Sequence, residues 1–434
     1  VAAQTGCAAG LACEEVQGKD PGCFAPLTLK GRVFDSVSAD DKGIADARVV
    51  ARDANDAAVS TVAITAADGT YALVVPAPRD ADGKPLKQQY TLRADAAGYD
   101  TFPKAPRIAI PIDLATATGS PPAIQSAATD IGLIPLPNVA GLGSISGKIV
   151  GNVTSAGGDP LLPGGALIVA GSATAIADRT GSFVVFNVPA GDVEVRGYAQ
   201  GLQIAPESAS VAAGKETPNV ELELTGEATA TVSGKVQLVN PGAGTATSVI
   251  LVLEDTFQAN AARGEAPRGL RAGNVTGAWS IAGVPDGKYV VLAAFENDDL
   301  VRDPDTSIGG TQIVHIAING GASQELAESF KVTGALAVQS PGATTLDEVS
   351  GTPEFVWEDD SNEDRYHVQV FDALGQLTWE DASVPGVSGA TTVKRSYAGP
   401  PLEAGMIYQF RATSLKKGVP QSSTEDLKGV FLYK

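Results

Sequence analysis

Side chains that usually carry chemistry are scarce in this sequence. Its 434 residues include two histidines, one methionine and three cysteines, and aromatics make up only 6%. No stretch approaches the roughly 20 apolar residues that a membrane-crossing helix needs. The richest run, Ala166–Ala170, is short and bounded by Gly and Ser. A Gly-x-Ser-x-Gly elbow, a phosphate loop and a dinucleotide fingerprint are all missing. The Gly-rich stretches Gly141–Gly147 and Gly157–Gly165 lack the Lys-Ser/Thr that would hold phosphate, and read as connections. Cations are in deficit too: 31 Lys and Arg against 50 Asp and Glu, a net charge of −19. Such a surface repels phosphate backbones and anionic head groups, which excludes nucleic acid and membrane surfaces as partners. It attracts cations, chiefly calcium, and keeps an exported protein soluble.

What remains is enough for cores and many turns. Hydrophobic residues make up 44%, with 49 Gly and 27 Pro punctuating short runs of Val, Ile, Leu and Ala. Long helical periodicity is missing, so the expected class is all-β, a tandem array of about four β-sandwich domains. The length agrees with three or four domains of about 100–150 residues. All three cysteines, Cys7, Cys13 and Cys23, fall in the first 23 residues, away from the expected cores. This suits a disulfide-stapled arm in an oxidising compartment, with one thiol left over. Their spacing is not that of a zinc site, and no His lies near. The chain opens at Val1 without Met, which is read as fitting a form whose leader has been removed, so an extracellular or cell-surface location is expected.

One succession of strands occurs three times. Each copy opens on Gly followed by a basic residue: Leu29-Lys-Gly31-Arg32-Val33, Ile145-Ser-Gly147-Lys148-Ile149 and Val232-Ser-Gly234-Lys235-Val236. A second strand follows (Ala47–Ala51, Ala166–Val169, Val249–Leu253). Then come Asp68-Gly69-Thr-Tyr71, Thr180-Gly181-Ser-Phe183 and Thr276-Gly277-Ala-Trp279, each running to a Pro at 76, 189 or 285. The Gly is read as a tight turn, the aromatic as core-facing and the Pro as a strand end. The returning strands alternate, as in Tyr90-Thr-Leu92-Arg-Ala94. Order is constant while the interval between the two glycines varies, which suits sandwiches and not a solenoid.

This pattern resembles the carboxypeptidase regulatory-like family of small transthyretin-like β-sandwiches, over residues 27–335. Its motifs are turn and core positions, so the resemblance implies a scaffold more than an activity. The last hundred residues pair Pro353-Glu-Phe355-Val-Trp357 with Leu402-Glu-Ala-Gly405-Met-Ile-Tyr408-Gln-Phe410-Arg-Ala412, which looks like a fibronectin type III domain. The expected organisation is a Cys-bearing arm over 1–26, sandwiches over 27–135, 136–225 and 226–335, and a fibronectin-like sandwich over 336–434. Short joints at 135–143, 225–229 and 331–342 suggest a fairly stiff rod in which each domain contacts mainly its neighbours.

Candidate sites are few. Glu296, Asp298, Asp299, Asp303 and Asp305 follow the returning strand of the third copy and offer oxygens for calcium; the competing reading is salt bridges, with Arg302 in the same loop, or a solvated loop. A second acidic cluster, 358–364, reads as a wet turn. His315 and His367 sit on the outward side of their strands. Sugar binding needs exposed aromatic platforms, for which Tyr198 and Trp379 are the best candidates. No catalytic or cofactor-binding set is expected. The reading is a non-catalytic extracellular structural or adhesive protein. Its modules act as spacers or assembly subunits, with the extended arm docking on a protein partner or another copy. The alternatives are a carbohydrate or cell-wall-binding array, and an accessory subunit of a surface enzyme.

Overall fold

In the computed structural model the described residues are 7–434, apart from 54–55, 105–106, 108, 240–244, 260–261, 295–298, 305–309, 361–362, 388 and 426–427. Strands dominate, and helix is confined among them to three short 3-10 turns. No helix among these residues is long and apolar enough to cross a membrane.

The three repeats fold alike. In the first, Leu27–Asp35 pairs antiparallel with Thr70–Val75 and parallel with Ile131–Leu133, while Arg48–Arg52 pairs antiparallel with Gln89–Asp95 in a second sheet. The second repeat sets Leu142–Val150 between Ser182–Pro189 and Glu216–Glu227. The third sets Ala230–Val239 between Ala278–Val284 and Phe330–Gly334. Their facing sheets are built on Leu167–Ala170 with Gly191–Tyr198, and on Thr247–Leu253 with Gly287–Ala293. The last unit packs the sheet of Val338–Ser340, Glu354–Glu358 and Thr392–Ser396 against a larger one centred on Ile407–Lys416 and Arg365–Asp372.

Register explains the repeated motif. Gly31 lies opposite Tyr71, Gly147 opposite Phe183 and Gly234 opposite Trp279. Each aromatic is buried and lies over its glycine: a Cβ on Gly147 would come within 2.7 Å of Phe183 Cζ, and one on Gly234 within 2.8 Å of Trp279 Cζ2. The glycine leaves the space that its cross-strand aromatic fills. Gly69 and Gly181 hold positive φ in their turns as expected. Gly277 does not; in the third copy Asn274 takes the left-handed conformation instead.

The rod does not form. Val50 and Ala58 of the first sandwich and Leu167, Val169, Ile176 and Tyr198 of the second join the core cluster of the third. Thr247–Leu253 is buried on both faces, with Ile250 and Val252 under Phe257 and Ala266 of the following loop. The strand is apolar on both sides because a loop or a neighbouring sandwich covers its second face. The joints are taut: Glu216–Glu227 runs to within three residues of Ala230–Val239.

Candidate functional site

The polar feature that the packing creates is a crevice of about 790 Å³, walled by all four sandwiches. Behind its wall lies Arg93, on the returning strand of the first sandwich, with a fully buried side chain that bonds the lining residues Thr174 and Glu265. Its guanidinium grips Asp95 with two hydrogen bonds of 2.7 and 2.8 Å. It also donates to the hydroxyl (2.7 Å) and carbonyl (3.1 Å) of Thr174 in the second sandwich. Its Nη1 makes an ion contact of 2.6 Å with Glu265 of the third. One side chain thus touches three sandwiches.

Glu265 is shared. Its other oxygen accepts from Arg52, and the Arg271–Asp53 pair (2.7 Å) and the Arg263–Asp56 contact (3.9 Å) flank it. Burial alone would raise the Glu265 pKa, but Arg52 and Arg93 outweigh it and hold the carboxyl below its ordinary value. Burial pulls Arg93 down, and Asp95 and Glu265 more than reverse that. Asp56 is different: burial dominates over Arg52 and Arg263, and its pKa is raised.

Other contacts close the crevice. Asn187 of the second sandwich accepts from Gly98 N–H (2.8 Å) and donates to Tyr99 O (2.8 Å) of the first. Arg107 donates to Ala373 O of the last sandwich and to Gly132 O of its own, both at 2.7 Å, while lying over the Phe102 ring. Burial pushes its pKa down to about 10, against Asp100 and Asp372. Asp299 N–H donates to Glu425 Oε1 (2.8 Å), and Ser422 Oγ to Gly334 O (2.6 Å), tying the last sandwich to the third.

The acidic loop is only partly in view. Glu296, Asp298 and Asp305 lie outside the described residues. Asp303 is buried in an ion pair of 2.6 Å with Lys331, and Arg302 donates to Thr311 O. Among the described residues no group of three or more His, Cys, Asp or Glu is placed to hold a metal ion. In the 358–364 turn, Asp359 and Asp360 accept from Tyr366 and Ser414, and Asp364 accepts from Lys417 N–H. His315 and His367 pair with Glu254 (2.7 Å) and Glu380 (3.0 Å).

Two expectations are corrected. Tyr198 is buried, edge-on to Tyr289, so it is not an open platform for sugar, whereas Trp379 is half-buried, with Phe355, Tyr397 and Arg395 around it. The arm is not extended from Ala12 onward: Ala12–Val16 and Lys19–Phe24 form a hairpin docked on the first sandwich. Gln17 N–H donates to Arg79 O and Arg79 N–H to Glu15 O, both at 2.8 Å, while Glu14 accepts from Ala77 N–H. A disulfide joins Cys7 to Cys23, and Cys13 is free.

No family model matches the chain, and no curated protein matches it. Solved structures similar to it share little sequence. Two B repeat units of the collagen-binding protein of Staphylococcus aureus are 12% identical, covering 94% of this chain and 98% of that one, with a TM-score of 0.18. The TIE protein of Bacillus anthracis is 9% identical, covering 94% of this chain and 67% of that one, at 0.18. BcpA, the major pilin subunit of Bacillus cereus, is 10% identical, covering 71% and 99%, at 0.17. The β-sandwich assignment rests on the strand pairing itself.

The crevice residues escaped the sequence reading because charged pairs between repeats leave no local spacing. The alternation read in Tyr90-Thr-Leu92-Arg-Ala94 places Arg93 on the outward face, whereas six of the seven residues of that strand are buried. Charge at such a position requires a partner.

Proposed function

We propose that the chain is a non-catalytic extracellular structural or adhesive protein, in which four sandwiches are locked into one unit that serves as a spacer or assembly subunit. The observation that carries this reading is the destination of the buried charge. At the crevice, Arg52, Arg93, Arg263 and Arg271 of two sandwiches pair with Asp53, Asp56, Asp95 and Glu265 of the same two, so the charge fastens modules together. The disulfide and the acidic surface support an oxidising, extracellular setting.

The first three sandwiches are read as carboxypeptidase regulatory-like modules over 27–135, 136–225 and 226–335. Their shared pairing order and Gly–aromatic register support this. The last is read as fibronectin type III-like over 336–434: Trp357 is fully buried between sheets, and Tyr408 turns its hydroxyl back to accept from Glu403 N–H at 2.9 Å. Calcium held by Glu296, Asp298, Asp299, Asp303 and Asp305 stays part of the reading, with Asp303 also engaged by Lys331.

Assembly through the arm is the testable part. Light scattering after size exclusion, with and without reductant, should show species larger than one chain that disappear when residues 1–26 are deleted. Unchanged assembly in the deletion, or a single-chain mass under every condition, overturns the assembly role.

A further inference from the structure

The three cysteines are closer to one another than one disulfide and one spare thiol require. Cys13 and Cys23 are direct partners on the antiparallel hairpin. Residues paired in this way point to the same face, with Cα atoms about 4.5 or 5.5 Å apart depending on the hydrogen-bonding site. Disulfides form at Cα separations of about 4.4–6.8 Å, so either type of pair suits one. Cys23 is bonded instead to Cys7, with Cα atoms 5.6 Å apart. The Cys23 sulfur is therefore held within bridging range of two others.

The hairpin also leaves these sulfurs open. Ala12 and Glu14 are buried against the first sandwich, which puts the alternate position, Cys13, on the outward side. Cys23 is exposed, and Cys7 and Cys13 are half-buried. Cys7 precedes the first strand by several residues and is tied to the hairpin through its sulfur.

We propose that the disulfide migrates between Cys7–Cys23 and Cys13–Cys23, making Cys7 a releasable attachment thiol. The Cys13 thiolate attacks Cys23 Sγ; the Cys13–Cys23 bond forms as the Cys23–Cys7 bond breaks, and Cys7 leaves as a thiolate that takes up the proton Cys13 gave. One disulfide is broken and one made, so no oxidant is consumed. The released Cys7 is the thiol set to form a mixed disulfide with a disulfide-bearing small molecule or protein. The inference holds whether or not the chain assembles into larger species.

The test uses the full chain purified without reductant. In a C7S variant equilibrated in a mixture of reduced and oxidised glutathione, alkylation and peptide mapping should find no free thiol and a Cys13–Cys23 crosslink. Two alkylated or glutathionylated cysteines there would overturn the proposal. A C13S variant should keep Cys7–Cys23 intact, which separates lost exchange from lost folding. In the wild-type chain, slow alkylation with dilute maleimide at mildly alkaline pH should place one label per chain, divided between Cys13 and Cys7. A label on Cys13 alone, however long the incubation, would also overturn it.

Discussion

At the scale of single residues, the repeat motif turns out to be a packing pair. The glycine that opens each copy has no turn to make; it is cut away so that Tyr71, Phe183 or Trp279 can cross it from the neighbouring strand. A methyl group at Gly147 would also meet Val220 O at 2.0 Å, in backbone that cannot swing aside. Gly147→Ala should therefore cost about 1–3 kcal/mol or more by overpacking. Gly226→Ala, where nothing lies within 4 Å, should stay within about 0.5 kcal/mol. Urea unfolding of the two variants checks both; equal midpoints would refute the pairing argument. The motif itself was legible in sequence, because Gly and an aromatic recur in fixed order. The reason for it was not, because cross-strand register is invisible in one dimension.

At the scale of elements, the informative strands are those that fail to alternate. Leu167–Ala170 is buried at all four positions: Ile168 and Ala170 face their own core, while Leu167 and Val169 face the cluster of the third sandwich. An unbroken apolar run is the mark of a strand covered on both faces. Ala166–Ala170 therefore carried this information in the sequence, although not the identity of what covers it. Val169→Asp would bury an unpaired charge at that contact. Small-angle scattering should give a radius of gyration of about 22 Å for the packed wild-type chain, the value expected of a compact body of this length. The variant should give a larger radius with its circular-dichroism strand signal kept. An unchanged radius would mean that the outward face does not hold the sandwiches together.

At the scale of the whole molecule, the balance of charge in the crevice sets the response to pH. Removing one partner of a buried pair leaves the others uncompensated, so Glu265→Gln should cost about 3–5 kcal/mol. The Glu265 carboxyl has a lower pKa folded than unfolded. Its contribution is therefore complete above the ordinary value of 4.5 and is lost as pH falls below it. Asp56, with its pKa raised, contributes in the opposite direction and offsets part of this loss. Denaturant midpoints should fall from pH 6 to pH 3 in the wild-type chain, and less steeply in Glu265→Gln. Parallel slopes would show that Glu265 is not the group responsible.

Alternation, turn residues and the repeated Gly–aromatic order determined the all-β class and the three related sandwiches from sequence alone, because those features act between residues on the same or adjacent strands. The clustering of the cysteines was likewise a matter of sequence. Which cysteines pair, that Tyr198 is enclosed, and that four sandwiches close around a charged crevice in place of a rod were decided by the tertiary structure. Arg93 reaches Thr174 and Glu265 across more than eighty and more than one hundred and seventy residues of chain. Contacts over such separations follow from surface complementarity between finished modules, and no local pattern encodes them.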